Sequence, residues 1–104
     1  MNYLPVFLRI RNAPCLVVGG GAIALRKVEL LLSAGASVTV VSKSQDHRML
    51  KLIQQQKITH LKCEFSPDLI TGMCLVVAAT NDRTVNQQVS ETAMAQAIPV
   101  NVVD

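Results

Sequence analysis

The stretch LVVGGGAIA at residues 16–24 decides the fold, because it joins an apolar run to a segment with helical spacing. Against the pattern G-x-G-x-x-G/A it places Gly19, Gly21 and Ala24 in the three small-residue positions. Gly19 allows a tight strand-to-helix turn, Gly21 leaves room for a pyrophosphate beside the backbone, and Ala24 lets the helix pack closely on the sheet. The amides at such a helix start attract anions. The stretch predicts a dinucleotide-binding turn, although a purely structural turn would use the same glycines.

The flanking segments complete a strand–helix–strand unit around this turn. Residues 13–18 form a short apolar run, and residues 22–34 carry apolar side chains at the intervals of an amphipathic helix. Gly35 follows at the position where a left-handed helix C-terminus is expected, and residues 37–41 are a second, β-branched strand. Together these segments span about thirty residues, the size of one βαβ unit.

Strand and helix patterns continue to alternate through the rest of the chain. They predict helices over residues 45–56 and 82–97, a helical turn over 66–70 with Ser66 as its N-cap, and strands over 57–63, 74–79 and 98–103. Residues 4–10 alternate in hydropathy, which predicts an antiparallel edge strand beside the first strand. We therefore expect one α/β domain over residues 1–104: a Rossmann-like NAD(P)-binding fold whose five-stranded sheet is mainly parallel, with helices on both faces and an N-terminal edge strand.

Composition limits the class of protein. The 104 residues, 50% of them hydrophobic, suffice for one core, and no apolar run approaches the ~20 residues that span a membrane. The N-terminus lacks the order of a signal peptide, which predicts a cytoplasmic protein. The three cysteines lie in or beside predicted strands without a C-x-x-C pair, so we interpret Cys15, Cys63 and Cys74 as buried free thiols.

The polar composition gives no sign of a metal site or of a nucleic-acid surface. His47 and His60 lack metal-ligand spacing and are interpreted as surface or strand-end residues, so no resident metal is predicted. The net charge of +3 is modest, and an aromatic content of 3% leaves little to stack on bases. We expect neither a nucleic-acid nor a membrane partner.

The end of the second strand is where the cofactor is usually selected, because an acidic residue about twenty positions after the glycines binds the adenosine ribose. Here residues 41–44 read Val-Ser-Lys-Ser. Ser42 or Ser44 could bond a ribose hydroxyl, whereas Lys43 could approach a 2′-phosphate, so the residues leave NAD and NADP open. Thr80 and its neighbour Asn81 follow the fourth strand and could either face a ligand or cap the next helix.

The chain also resembles, from end to end, the N-terminal domain of siroheme synthase, which is the precorrin-2 dehydrogenase and sirohydrochlorin ferrochelatase module. The segments that carry this resemblance are LPVF at 4–7, CLVVGGG at 15–21, Ala24, RK at 26–27, LLL at 30–32, AGA at 34–36, AATND at 78–82, TVN at 84–86 and NVVD at 101–104. The resemblance implies NAD-dependent oxidation of precorrin-2 to sirohydrochlorin and insertion of Fe²⁺ in the same cleft to give siroheme.

The resemblance also implies roles for particular residues. Asp104 is expected to serve both reactions, and a carboxylate in that place can accept the proton that leaves when a hydride is lost. Ala22, Ile23, Lys43 and Ser44 are expected to contact the nucleotide, although the family often has an acidic residue where this chain has Ala22.

The family continues past Asp104 into a helical dimerisation region that completes the tetrapyrrole cleft. The resemblance therefore implies a longer, homodimeric protein of which this chain supplies the NAD-binding half, and we expect the chain by itself to be inactive.

Two other function classes stay open. A non-catalytic nucleotide-sensing domain would share the βαβ start, but it would be expected to carry an acidic residue at the end of the second strand. An NADP-dependent reductase fragment is favoured by Lys43.

Overall fold

The structure, a computed structural model, describes residues 2–103. Strands and helices alternate along the chain. Their bounds are β1 (Pro14–Val18), α1 (Ala22–Ser33), β2 (Ser37–Val41), α2 (His47–Gln54), β3 (Thr59–Leu61), a 3-10 turn (Pro67–Ile70), β4 (Leu75–Ala78), α3 (Arg83–Ala95) and β5 (Val100–Val102).

The strands form one parallel sheet of five strands in the order β3-β2-β1-β4-β5. The central strand β1 pairs with β2 on one side and with β4 on the other, so that Val18 lies opposite both Val41 and Ala78. The strand order therefore reverses beside β1. In open α/β sheets, the crevice at the carboxyl ends of the strands beside such a reversal is where ligands bind.

Two layers of apolar side chains cover the sheet, one on each face. Alternate residues of β1 point to opposite sides, with Cys15 and Val17 in one cluster and Leu16 and Val18 in the other. The first cluster includes the buried residues of α1 and α2, and the second includes the buried apolar residues of α3 and the 3-10 turn. The predicted Rossmann-like α/β fold, with helices on both faces of a parallel sheet, is confirmed.

The predicted N-terminal edge strand is wrong. Residues 4–10 form no strand, and most of their apolar side chains are exposed. The reason is the position of β1, since a strand that already pairs on both sides has no free edge for an antiparallel neighbour.

Helices α2 and α3 are slightly shorter at both ends than predicted, and an aspartate caps the N-terminus of each. Asp46 accepts a hydrogen bond from the Arg48 amide at 2.8 Å and starts α2, and this bond holds the pKa of the Asp46 carboxyl below its usual value. Asp82 starts α3 in the same way. Gly35, which follows the C-cap residue Ala34 of α1, has a φ of 82°, the left-handed conformation predicted for it. Ser66 stands at the N-cap position of the 3-10 turn, but its hydroxyl donates to the Asp68 carboxylate at 2.6 Å instead of accepting from a backbone amide.

The three cysteines are free thiols but they are not all buried. Cys15 is buried, and burial, with a smaller effect of nearby Cys74, raises the pKa of its thiol. Cys74 is partly exposed. The prediction of burial is wrong for Cys63, because β3 ends at Leu61 and leaves Cys63 exposed in the following loop. Over residues 2–103, the helices are all too short or too polar to cross a membrane.

Candidate functional site

A cleft of about 1220 Å³ opens at the carboxyl ends of the strands. Its walls come from the turn after β1, the loops after β2, β3 and β4, the first half of α3, and the end of β5. The volume exceeds the ~300–1,000 Å³ of common small-ligand pockets, which gives room for an extended ligand. The cleft lies where the strand order reverses, as the fold leads one to expect.

Two of the three consecutive glycines are required by packing within the protein. Gly19 has a φ of 135°, and a Cβ on it would overlap the carbonyl oxygen of Ala79. A Cβ on Gly20 would overlap the carbonyl oxygen of Ser44 and crowd the side chain of Ser42. These glycines let the turn lie directly against the loops that follow β4 and β2. The need for Gly20 was not predicted, since the motif leaves that position free.

Gly21 is different, because no packing within the protein requires it. No heavy atom lies within 4 Å of where its Cβ would stand, and its φ of −88° is open to any residue. Gly21 lines the cleft, so a side chain here would occupy cleft space. Ala24, the third small residue of the motif, is fully buried in the core beside the sheet. The arrangement fits a ligand that must touch the backbone at Gly21.

The start of α1 presents unused hydrogen-bond donors to the cleft. Gly21 is the N-cap, no side chain caps this end, and no acidic residue stands in the first turn. The amide of Leu25 bonds to the Gly21 carbonyl at 2.9 Å, so the amides of Ala22 and Ile23 precede the first helical hydrogen bond. Both residues line the cleft. Free amides and the positive end of the helix dipole make this a place for an anion such as a pyrophosphate.

Three residues after β2 were predicted to contact the nucleotide, and the structure places two of them at the cleft and one in the interior. Lys43 and Ser44 line the cleft. Ser42 does not; it is 8% exposed, and its hydroxyl lies 3.0 Å from Nε2 of His60. His60 is the middle residue of the edge strand β3 and is half-buried, so it lies within the strand and not at its end or on the open surface. Ser42 therefore packs against Gly20 of the turn and does not face the cleft.

An acidic residue does lie at this end of the cleft, but it comes from a different strand. Glu64 follows β3, lines the cleft and pairs with Lys43 through a 3.3 Å contact between Oε1 and Nζ. Glu64 was not predicted as a site residue, because an acidic residue was expected only at the end of β2. Parallel pairing of β2 with β3 was the signal that could have found it, since both strands end at the same edge of the sheet.

Thr80, which also lines the cleft, is held by a buried asparagine. The Thr80 hydroxyl donates to Oδ1 of Asn86 at 2.6 Å, the Thr80 amide donates to the same oxygen at 3.1 Å, and Nδ2 of Asn86 donates back to the Thr80 carbonyl at 3.0 Å. The cap of α3 is Asp82, which accepts from the Thr84 amide at 2.9 Å. Neither Thr80 nor Asn81 is thus the cap of α3. No role at the site was predicted for Asn86.

Replacing Asn86 with alanine is expected to lower the free energy of unfolding by about 1–3 kcal/mol, because the Thr80 amide and carbonyl would lose their partners in a half-buried place. Urea denaturation measures this loss. Gln88→Ala, on an exposed side chain of the same helix, is the control and should change stability by less than about 0.5 kcal/mol. Equal stability of the two variants would contradict a supporting role for Asn86.

The remaining predictions concern catalysis and metals. Asp104, the predicted catalytic residue, lies outside the described residues, although Val103 before it lines the cleft. Within residues 2–103, no three His, Cys, Asp or Glu side chains come together as metal ligands.

Comparison with known proteins gives the family. Residues 6–104 match the model of the family described as "Putative NAD(P)-binding". Siroheme synthases of Methylobacillus flagellatus and Vesicomyosocius okutanii are 53% and 47% identical to this chain over 104 residues, which are 100% of this chain and 22% of each relative. A solved structure of a precorrin-2 dehydrogenase has a TM-score of 0.82 at 26% identity, covering 95% of this chain and 48% of that one.

These matches confirm the resemblance seen in the sequence, and the chain spans less than a quarter of the siroheme synthases that it matches. With a matching model over nearly its whole length and a cleft built around a glycine turn, the chain belongs to this NAD(P)-binding family.

Proposed function

We propose that this chain is the NAD-binding part of an enzyme of siroheme biosynthesis. The enzyme oxidises precorrin-2 to sirohydrochlorin with NAD⁺ and inserts Fe²⁺ to give siroheme. The observation that carries the nucleotide half of the proposal is Gly21, which lines the cleft although no packing within the protein requires a glycine there. Similarity to siroheme synthases and to a precorrin-2 dehydrogenase supports the choice of substrate.

Different residues of the cleft would bind different parts of NAD⁺. The amides of Ala22 and Ile23 would bind the pyrophosphate beside Gly21. Lys43 and Ser44, after β2, would face the adenosine half, which in this class of fold lies at that strand end. Thr80, after β4, lines the cleft on the other side of the turn. When bound, NAD⁺ supplies the acceptor for the hydride that the substrate loses.

Asp104 is the proposed proton acceptor of both reactions. Oxidation of precorrin-2 releases a proton together with the hydride, and a carboxylate oxygen near the substrate can take that proton. Insertion of Fe²⁺ releases two pyrrole N–H protons, for which the same carboxylate is a suitable base. Support for this placement comes from Val103, which precedes Asp104 and lines the cleft.

The substrate half of the site is proposed to come from a longer protein. We place residues 1–104 as one nucleotide-binding domain of a homodimeric enzyme whose remaining residues complete the tetrapyrrole cleft. The chain alone is then expected to bind NAD⁺ without catalysis. The free thiols suit a reducing compartment, so a cytoplasmic location is part of the proposal.

The chain is expected to bind NAD⁺ more tightly than NADP⁺, because Glu64 neutralises Lys43 and would repel a 2′-phosphate. Calorimetric titration of the 104-residue chain with each nucleotide tests this. Tenfold tighter binding of NADP⁺, about 1.4 kcal/mol, would favour an NADP-dependent reductase instead. Absence of binding to either nucleotide would contradict the nucleotide-binding function itself.

A further inference from the structure

We propose that Glu64 selects NAD⁺ over NADP⁺ by accepting a hydrogen bond from the 2′-hydroxyl of the adenosine ribose. This role rests on the proposed nucleotide site and assigns its specificity to a residue after β3. In the common arrangement the acidic residue stands at the end of β2. Here residues 30–45 contain no Asp or Glu, so no acidic residue stands at the end of β2.

The next acidic residue along the chain, Asp46, is already engaged elsewhere. Its carboxylate caps α2 by accepting from the Arg48 amide at 2.8 Å, and the Arg48 guanidinium Nε lies 3.4 Å from the same oxygen. Asp46 is not among the residues that line the cleft. Asp46 is therefore not the residue that binds the ribose hydroxyl.

Glu64, unlike Asp46, lines the cleft. Val41, the last residue of β2, lies opposite Leu61, the last residue of β3, so the loops after both strands leave the sheet at the same edge. Glu64 thereby reaches Lys43, which precedes the cleft-lining Ser44. The side chain of Glu64 is 79% exposed, and its carboxylate is accessible to a ligand in the cleft.

The charges of Glu64 and Lys43 explain how the site would discriminate between NAD⁺ and NADP⁺. A carboxylate accepts hydrogen bonds only, so it suits a ribose hydroxyl and repels a phosphate. The ammonium of Lys43, which could otherwise attract a 2′-phosphate, is held by Glu64 at 3.3 Å. An exposed ion pair of this kind contributes little to stability, so either residue can be replaced without unfolding the protein.

The test compares Glu64→Ala with wild type in titrations with three probes: NAD⁺, NADP⁺, and an NAD⁺ analogue whose adenosine carries 2′-deoxyribose. Glu64→Ala should bind NAD⁺ about tenfold more weakly, since a hydrogen bond to a charged group is lost. It should bind NADP⁺ more tightly than wild type does, because Lys43 is released. Its affinity for the deoxy analogue should equal that of wild type.

Two further variants sharpen the result. Glu29→Ala removes the same charge from an exposed position of α1 outside the cleft and should leave all three affinities unchanged. Glu64→Gln keeps an acceptor oxygen but loses the charge. It should therefore retain more NAD⁺ affinity than Glu64→Ala while gaining affinity for NADP⁺.

The outcomes separate this role from the nucleotide site itself. Two outcomes would overturn the selecting role of Glu64 while the proposed function stands. In the first, Glu64→Ala binds NAD⁺ as tightly as wild type does. In the second, Glu64→Ala loses as much affinity for the deoxy analogue as it loses for NAD⁺. If wild type binds neither nucleotide, the proposed function fails and the role of Glu64 fails with it.

Discussion

Gly21→Val is expected to abolish NAD⁺ binding while the protein stays folded. Apart from the adjacent residues of the chain, no heavy atom lies within 4 Å of the added Cβ, and a φ of −88° suits any residue, so we expect the fold to accept a side chain here. Its methyl groups would instead fill the part of the cleft where the backbone must meet the pyrophosphate. Calorimetry should show a loss of more than about 100-fold, which is ~2.7 kcal/mol or more.

A matched pair of measurements makes the Gly21 result decisive. Circular dichroism and urea denaturation should show a stability change of no more than about 1 kcal/mol, since valine is a poorer N-cap than glycine. Gly19→Ala should behave in the opposite manner and destabilise the fold, because its Cβ would overlap the Ala79 carbonyl oxygen and its φ is 135°. A folded Gly21→Val protein with unchanged affinity would remove the turn from the binding site.

Asp104→Ala is expected to eliminate precorrin-2 oxidation and iron insertion together and to leave NAD⁺ affinity unchanged. The variant is made in this chain completed with the remaining residues of the Methylobacillus flagellatus siroheme synthase, which is 53% identical over the shared part. Loss of a shared proton acceptor stops both reactions. NAD⁺ binding persists because the glycine turn is unaltered. Both activities, nucleotide affinity and melting temperature are measured on one preparation.

The alternative for Asp104 is that it only caps the segment that follows it in the longer protein. Both activities would then survive, and stability would fall by the ~1 kcal/mol typical of a lost cap. Asp68→Ala, at an exposed aspartate outside the cleft, is the control for loss of a carboxylate and should retain both activities. Retained activity with a lowered melting temperature in Asp104→Ala would exclude Asp104 from catalysis.

The first βαβ unit could be predicted from sequence because its signals are local. The positive φ angles of Gly19 and Gly35 lie where glycine was expected, and β2 occupies the predicted residues 37–41. The buried residues of α1 follow the predicted helical spacing. Turn geometry and one-sided burial depend on residues within a few positions of each other, so the order of the residues is sufficient to reveal them.

The role of residues 4–10 depended on the whole sheet. Their alternating hydropathy is typical of a strand, yet a strand needs a partner with a free edge. Whether β1 has such an edge follows from the strand order, in which β2 and β4 occupy both of its sides. Similarly, the end of β3 at Leu61 determines that Cys63 is exposed.

The glycine turn of the candidate site was determined by the sequence alone, since Gly19, Gly21 and Ala24 are close neighbours on one turn and helix. Only the tertiary structure decided that Ser42 packs against Gly20 of the turn, that Asn86 holds Thr80 and that Glu64 meets Lys43. Glu64 and Lys43 are brought together by the pairing of β2 with β3, and Asn86 reaches Thr80 because α3 begins between them. The contacts of Ser42 with His60 and of Lys43 with Glu64 depend on how strands pair. The contact of Asn86 with Thr80 depends on where α3 begins and which side chain faces the loop. Residue spacing alone does not encode these features.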